Sequence, residues 1–147
     1  MNVPAPAVRL AARGIPSFPV LENKAPACPL GFKAATCGVD GMKALGGRWP
    51  GPLVGVVTRA ASGFDVLDID PRHGGNAWLS AHLDRLPTTR LHITRSGGQH
   101  LLFRHADGVR NTASRIAPGV DTRGDGGFIV YWPAEGLPVT VREPLAA

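Results

Sequence analysis

The chain has 147 residues, 44% of them apolar, and its 16 lysines and arginines outnumber its 11 acids to leave a net charge of +5. That length and composition describe one folded domain with its own core and exclude a disordered tail, while the basic balance suits either a polyanionic partner or a merely basic surface. No apolar run of about 18 residues occurs, and the opening MNVPAPAVRLAARG lacks a basic stretch followed by an apolar one, so neither membrane span nor signal peptide is expected and the cytoplasm is the expected compartment.

A short amphipathic helix is expected over residues 5 to 13, stopped at Gly14, and the proline-broken IPSFPV reads as an edge strand. Beyond a Pro/Gly-rich loop, Val39, Met42, Leu45 and Trp49 follow helical spacing and predict a second helix, with Gly46 and Gly47 as its stop. Cys28 and Cys37 lack the CxxC pairing of a zinc site and are read as reduced thiols. LVGVVT (53 to 58) and FDVLDID (64 to 70) predict two central strands joined as a hairpin-like pair through Gly63. Pro71 ends the second. Asn76 is expected to cap a helix over 77 to 86 whose buried stripe is Leu79, Leu83 and Leu86. RLHITR, SGGQHLLFRH and GGFIVYW follow as strands, and LPVTV as a further edge. The order αβαββαβββ gives an α+β fold class with a mostly antiparallel sheet, in a single domain over residues 1–147.

Three motifs carry chemistry. In DVLDID, Val66, Leu67 and Ile69 ask for burial while Asp65, Asp68 and Asp70 put carboxylates into the same strand. Strand side chains alternate, so Asp68 and Asp70 are expected on one face, about 6.5 to 7 Å apart, within reach of a shared divalent cation. Strand-end acids in a solvated loop are the competing reading. In TRSGGQH, Ser96, Gly97 and Gly98 are expected to offer amides to an anion, with Arg95 adding charge and His100 in place to donate to a phosphate. A plain hairpin turn and a core histidine are the alternatives. In GVDTRGDGG, Asp121 is placed on a short strand before a sharp bend, where it could supply a third carboxylate. The RGD tripeptide inside that motif is discounted as an adhesion signal, because neither secretion nor disulfides are expected. Trp49, Trp78 and Trp132 sit in apolar patterns and are expected to pack in the core.

In this order the three motifs resemble the N-terminal catalytic domain of bifunctional DNA primase/polymerases, the prim-pol branch of the archaeo-eukaryotic primase superfamily. The likeness extends from AARGIPSFPV through GFKAAT, Trp49 and VGVVTRAASGFDVLDID to IVYWPAEG. The resemblance implies an α/β unit joined to an RRM-like unit with the active site between them. It implies that Asp68, Asp70 and Asp121 bind catalytic Mg²⁺ or Mn²⁺, that His100 contacts the incoming nucleotide's phosphates beside Ser96, Gly97 and Gly98, and that Arg123 and Lys24 serve triphosphate or template. The implied activity is a DNA primase/polymerase, a nucleotidyltransferase acting by a two-metal mechanism on nucleoside triphosphates and a single-stranded DNA template or primer, with a replicative helicase as a further partner and no membrane. TRAASG departs from the family's usual glycine after the threonine, and no helicase or helical accessory domain is expected within the 147 residues. Two other readings are a catalytically degenerate nucleotide- or DNA-binding replication module, which the complete set of acids argues against, and a metal-dependent nuclease, which would more often show a lysine or second histidine beside the acids to activate water. A DxD glycosyltransferase would need a longer chain.

Overall fold

The computed structural model describes residues 9, 10, 12–58 and 62–141. The amphipathic helix expected over 5 to 13 lies largely outside them, though Leu10 is described and is buried.

β1 (Ser17–Val20), β2 (Leu53–Thr58) and β8 (Gly127–Val130) form a three-stranded sheet in the order β1-β2-β8. A second sheet has the order β6-β7-β3-β5-β4-β9, built from β3 (Phe64–Ile69), β4 (Arg90–Ile93), β5 (Gln99–Arg104), β6 (Thr112–Ala117), β7 (Val120–Arg123) and β9 (Val139–Val141). All the ladders pair antiparallel.

The two sheets pack face to face. Val54 and Val56 of β2 and Ile129 of β8 meet Phe64 and Val66 of β3 and Leu102 of β5, with Met42 and Leu10 closing the cluster. The opposite face of the large sheet presents Leu67, Ile69, Leu101 and Val120 to Leu79 of the helix α2 (Gly75–His82). The far face of the small sheet carries Phe18, Leu53, Val57 and Val130 beneath Phe32, Leu45 and Trp49, from the loop after β1 and the helix α1 (Val39–Arg48). β3 is therefore covered on both faces, which is why its sequence is almost continuously apolar instead of alternating. At about 1.5–3 kcal/mol per fully buried aliphatic side chain, these three clusters are the main anchor of the fold.

Several expectations change. β2 and β3 do not pair as a hairpin: they lie in different sheets and meet through side chains. Each is apolar on both faces, so each takes a central position with its own hydrogen-bonding neighbours. Gly46 and Gly47 do not stop α1, which runs to Arg48. Docking of Leu45 and Trp49 on the core outweighs the helix-propensity cost of about 1 kcal/mol per glycine. α2 is preceded by Gly74 at φ 87°, with Asn76 inside its first turn, and gives way after His82 to a 3₁₀ turn, Leu83–Arg85. The tighter turn rotates Leu83 off the stripe, leaving it 60% exposed, while Leu79 and Leu86 pack as expected and Trp78 joins them. β1 and β9 are edge strands as expected. β1 is nonetheless fully buried, because bridges from Thr36 to Ser17 and from Pro26 to Val20 lay the following loop along its open side. β6 was not legible as a strand: its middle residues are exposed, and TASRIA carries no apolar alternation.

Candidate active site

The register of the large sheet builds the site. Asp68 on β3 stands opposite Asp121 on β7 and opposite His100 on β5, and His100 in turn stands opposite His92 on β4. Directly opposed residues share a face, so Asp121, Asp68, His100 and His92 form one row across four strands. The same face carries Val66 and Leu102 one pair further along, where the small sheet covers it. At Asp68 that cover ends. There the sheets part into a cleft of ≈ 500 Å³ lined by Lys24, Asp68, Asp70, Ser96, His100, Asp121 and Arg123 among others. Seven of the nine residues expected at the site therefore share one cavity; Gly97 and Gly98 do not line it.

His100 is the floor of the cleft, its side chain 6% exposed, with Nε2 3.5 Å from Asp68 Oδ1. Its Nδ1 is buried without a hydrogen-bond partner among the described residues. Behind it His92 is fully buried; its Nε2 accepts from Arg90 Nε at 2.8 Å and its ring meets Tyr131 edge-on. Burial first, then the charge of Arg90 and the neighbouring His100, lowers the His92 pKa to about 3, so the ring is neutral. His92 was not identified from sequence, since only the β4–β5 register places it in the row.

The acids are not equivalent. Asp68 faces the cleft, and among the described residues only His100 is in ion-pair range of it. Asp121 accepts from the Ser114 amide at 2.8 Å and lies 3.5 Å from Arg123 Nη2. Ser114 reaches it because β6 is irregular between Thr112 and Ala117 and Ser114 takes φ 53°, which turns its N–H inward. Asp70 lies one residue past the end of β3 and caps the turn Pro71–His73. Its carboxylate accepts from the Arg72 amide at 2.9 Å and from the Arg72 guanidinium at 3.2 and 3.3 Å. That hydrogen bonding holds the Asp70 carboxyl below the usual carboxylate range. The expected convergence of Asp68 and Asp70 by strand alternation is thus modified by local chemistry: Pro71 opens a turn whose free amide needs an acceptor, and Asp70 supplies it. Among the described residues no group of three acids, histidines or cysteines stands ready to hold a metal ion. The donor set itself suits a hard divalent cation, because Asp68 and Asp121 put carboxylates side by side on the cleft wall.

The β4–β5 turn also differs from expectation. The amides of Gly97 and Gly98 donate to Thr94, at its carbonyl and its hydroxyl, so they close the turn instead of facing an anion. Gly98 passes against the Ile69 carbonyl, where a side chain would collide; this fixes the turn to the end of the acidic strand. Ser96 remains in the cleft wall. The Arg123 guanidinium is turned toward the Thr112 and Thr122 carbonyls as well as Asp121. Lys24 holds φ 73° and places Nζ 5.9 Å from the ring centre of Trp132. All three tryptophans pack against the core clusters, and Trp132 also lines the cleft.

Asp65, the third acid of the strand, serves the fold. It is buried at the far end of β3, where it accepts from the Ala106 amide at 2.9 Å and pairs with His105 Nδ1 at 2.8 Å. The hydrogen bond to Asp65 raises the His105 pKa, with Asp107 and Asp125 adding to it.

The fold is thus a two-sheet α+β domain whose acid- and histidine-bearing cleft opens where the sheets part. The family model for the bifunctional DNA primase/polymerase N-terminal domain, Prim-Pol, matches residues 7–146, and the chain belongs to that family. No curated protein matches it. Membership supports prim-pol-like nucleotidyltransferase activity in general, in a family that is generally metal-dependent and acts on single-stranded DNA and nucleoside triphosphates. Among the described residues, no helix is long and apolar enough to cross a membrane.

Proposed function

We propose that the domain extends DNA on a single-stranded template by metal-dependent nucleotidyl transfer, with the row Asp121–Asp68–His100 as its catalytic floor. The observation that carries this reading is the register: two carboxylates and a buried histidine on three adjacent strands, where the sheet face opens to a cleft. Asp68 and Asp121 would hold divalent cations, Mg²⁺ or Mn²⁺, and Asp70 would join them on releasing Arg72. Such cations supply charge neutralisation at the attacking 3′ oxygen and the leaving pyrophosphate. The chain's own part is to orient and to shield. His100, anchored in the floor beside Asp68, presents an N–H toward the incoming phosphates, and Lys24, Ser96 and Arg123 line the wall along which the triphosphate lies.

The split arrangement of the large sheet supports the RRM-like unit. β3 and β4 are both antiparallel to β5, which lies between them, so β3 and β4 are parallel and α2 is their crossover. The reading as a degenerate binding module draws its support from Asp70 and Asp121 each being engaged by an arginine. One assay separates the two: primer extension and de novo synthesis on single-stranded template, with ribo- and deoxyribonucleotides and with Mg²⁺ or Mn²⁺. Incorporation supports the polymerase. Binding of nucleotide and DNA with no product under any combination supports the module.

A further inference from the structure

Glu22, in the loop after β1, and Arg95, in the β4–β5 turn, are 73 residues apart in the chain and joined beside the cleft, which the nearby Lys24 and Ser96 line. Arg95 Nη1 donates to the Glu22 carboxylate, and Nη2 donates to the Glu22 carbonyl at 2.9 Å. The guanidinium lies 4.9 Å above the ring centre of Trp132, and Lys24 Nζ approaches the same ring at 5.9 Å. Trp132 is 3% exposed, so the ring is a fixed platform, and it lines the cleft together with Lys24 and Ser96, the residue next to Arg95. Two cations thus meet over one indole against a single carboxylate. Lys24 is held there by a tight turn, in which its amide donates to the Leu21 carbonyl at 2.9 Å and the Leu21 amide donates to the Ala25 carbonyl at 2.8 Å.

We infer that Arg95, Lys24 and Trp132 form a subsite for the terminal phosphates of a polyphosphate ligand, and that the Glu22 carboxylate fills this subsite until the ligand displaces it. The inference rests on the nucleotide reading above and adds to it a residue that opposes binding. The ion pair is exposed, with the Arg95 side chain at 41% and that of Glu22 at 72%, and exposed pairs contribute little net stability, so the carboxylate is readily exchanged. A triphosphate tail brings more negative charge and more acceptor oxygens than one carboxylate, and an arginine fork over an aromatic ring is preorganised to receive it.

The test measures binding of dATP, dAMP and inorganic tripolyphosphate at fixed Mg²⁺ by calorimetry, for the wild type, Glu22→Gln, Arg95→Ala, the double variant and Asp84→Asn. Asp84 lies on the 3₁₀ turn after α2, outside the cleft, and its substitution makes the same change in net charge. Glu22→Gln should tighten dATP and tripolyphosphate by about threefold to tenfold and leave dAMP unchanged, Arg95→Ala should weaken both polyphosphates by about tenfold, and in the double variant the gain from Glu22→Gln should vanish. Asp84→Asn should match the wild type. dATP binding that ignores both Glu22 and Arg95, or a gain equally large for dAMP or in Asp84→Asn, would overturn the subsite while leaving the nucleotide reading standing. A wild type that binds no dATP at all would overturn both.

Discussion

Asp68 and His100 are register partners on β3 and β5, and the histidine's Nε2 is 3.5 Å from the Asp68 carboxylate. Under the proposed function the two side chains would divide the work, the acid for metal and the histidine for phosphate. Asp68→Asn and Asp121→Asn should each lower nucleotide incorporation by about a hundredfold or more, and the Mn²⁺-induced rise in melting temperature should shrink in both. His100→Ala should raise the KM for nucleotide and keep the Mn²⁺ shift. Primer-extension kinetics with parallel thermal melts check the division. A full Mn²⁺ shift in Asp68→Asn would show that the carboxylate is not a ligand.

Asp70 is engaged by Arg72, and the guanidinium competes with any cation for the same oxygens. Arg72→Ala should therefore tighten Mn²⁺ binding, measured by calorimetry, if Asp70 belongs to the metal set. Weaker or unchanged binding would assign Asp70 to the turn alone. The pH dependence has a fixed sign. The Asp70 pKa is lowered in the folded chain by Arg72, so its stabilisation is present above the unfolded value of 3.8 and is lost as pH falls through the folded one. In melts without metal, Arg72→Ala should flatten that acid limb.

Six of the cleft-lining residues, Asp68, Asp70, Ser96, His100, Asp121 and Arg123, were legible because each lies in a short motif, and alternation placed Asp68 on an open face. Their relationships were not. Opposition of Asp68 to both Asp121 and His100 depends on three strands whose pairing is set by where β7 docks, and β2 hid its true neighbours because it is apolar on both faces. Asp70 lines the cleft with Asp68, but alternation does not reveal that Pro71 starts a turn that claims its carboxylate. Gly97 and Gly98 suggested free amides, yet the Thr94 hydroxyl, outside the SGG triplet, takes the Gly98 amide.

His92 gives a separate handle on the row. It is fully buried between Arg90, His100 and Tyr131, and it stays neutral because burial lowers its pKa to about 3. Below the unfolded value of 6.5 the unfolded chain takes up a proton that the folded chain refuses, so stability falls progressively from pH 6.5 toward pH 3. The full slope is about 1.4 kcal/mol per pH unit, so near pH 5 the loss from this group is on the order of 2 kcal/mol. His92→Phe should remove that slope in urea titrations between pH 7 and 5, while costing stability at pH 7 because Arg90 loses its acceptor. An unchanged slope in the variant would show that another group governs the acid limb.

The last prediction concerns Asp65, the acid of the strand that never reaches the cleft. Its carboxylate ties β3 to the chain leaving β5 through Ala106 and His105, and the adjoining segment in turn holds the β7–β8 turn, where Asp125 donates its amide to the Val109 carbonyl. Asn111 and Gly126 of these segments line the cleft, so the clamp supports one wall of it. Because Asp65 raises the pKa of His105 in the folded chain, the sign is opposite to that of His92: the stabilisation is fully present below the unfolded value of 6.5 and is lost as pH rises through the folded value. Asp65→Asn keeps the shape but halves the acceptors of a buried group. It should lower the melting temperature at pH 6 by about 5 °C or more and by less at pH 9, because the stabilisation carried by the His105 proton declines as pH rises. Nucleotide binding at the cleft should survive at temperatures well below the melt, because Asp65 touches none of the row. Equal destabilisation at both pH values would mean that the Ala106 amide alone accounts for the clamp, and that His105 contributes shape but no charge.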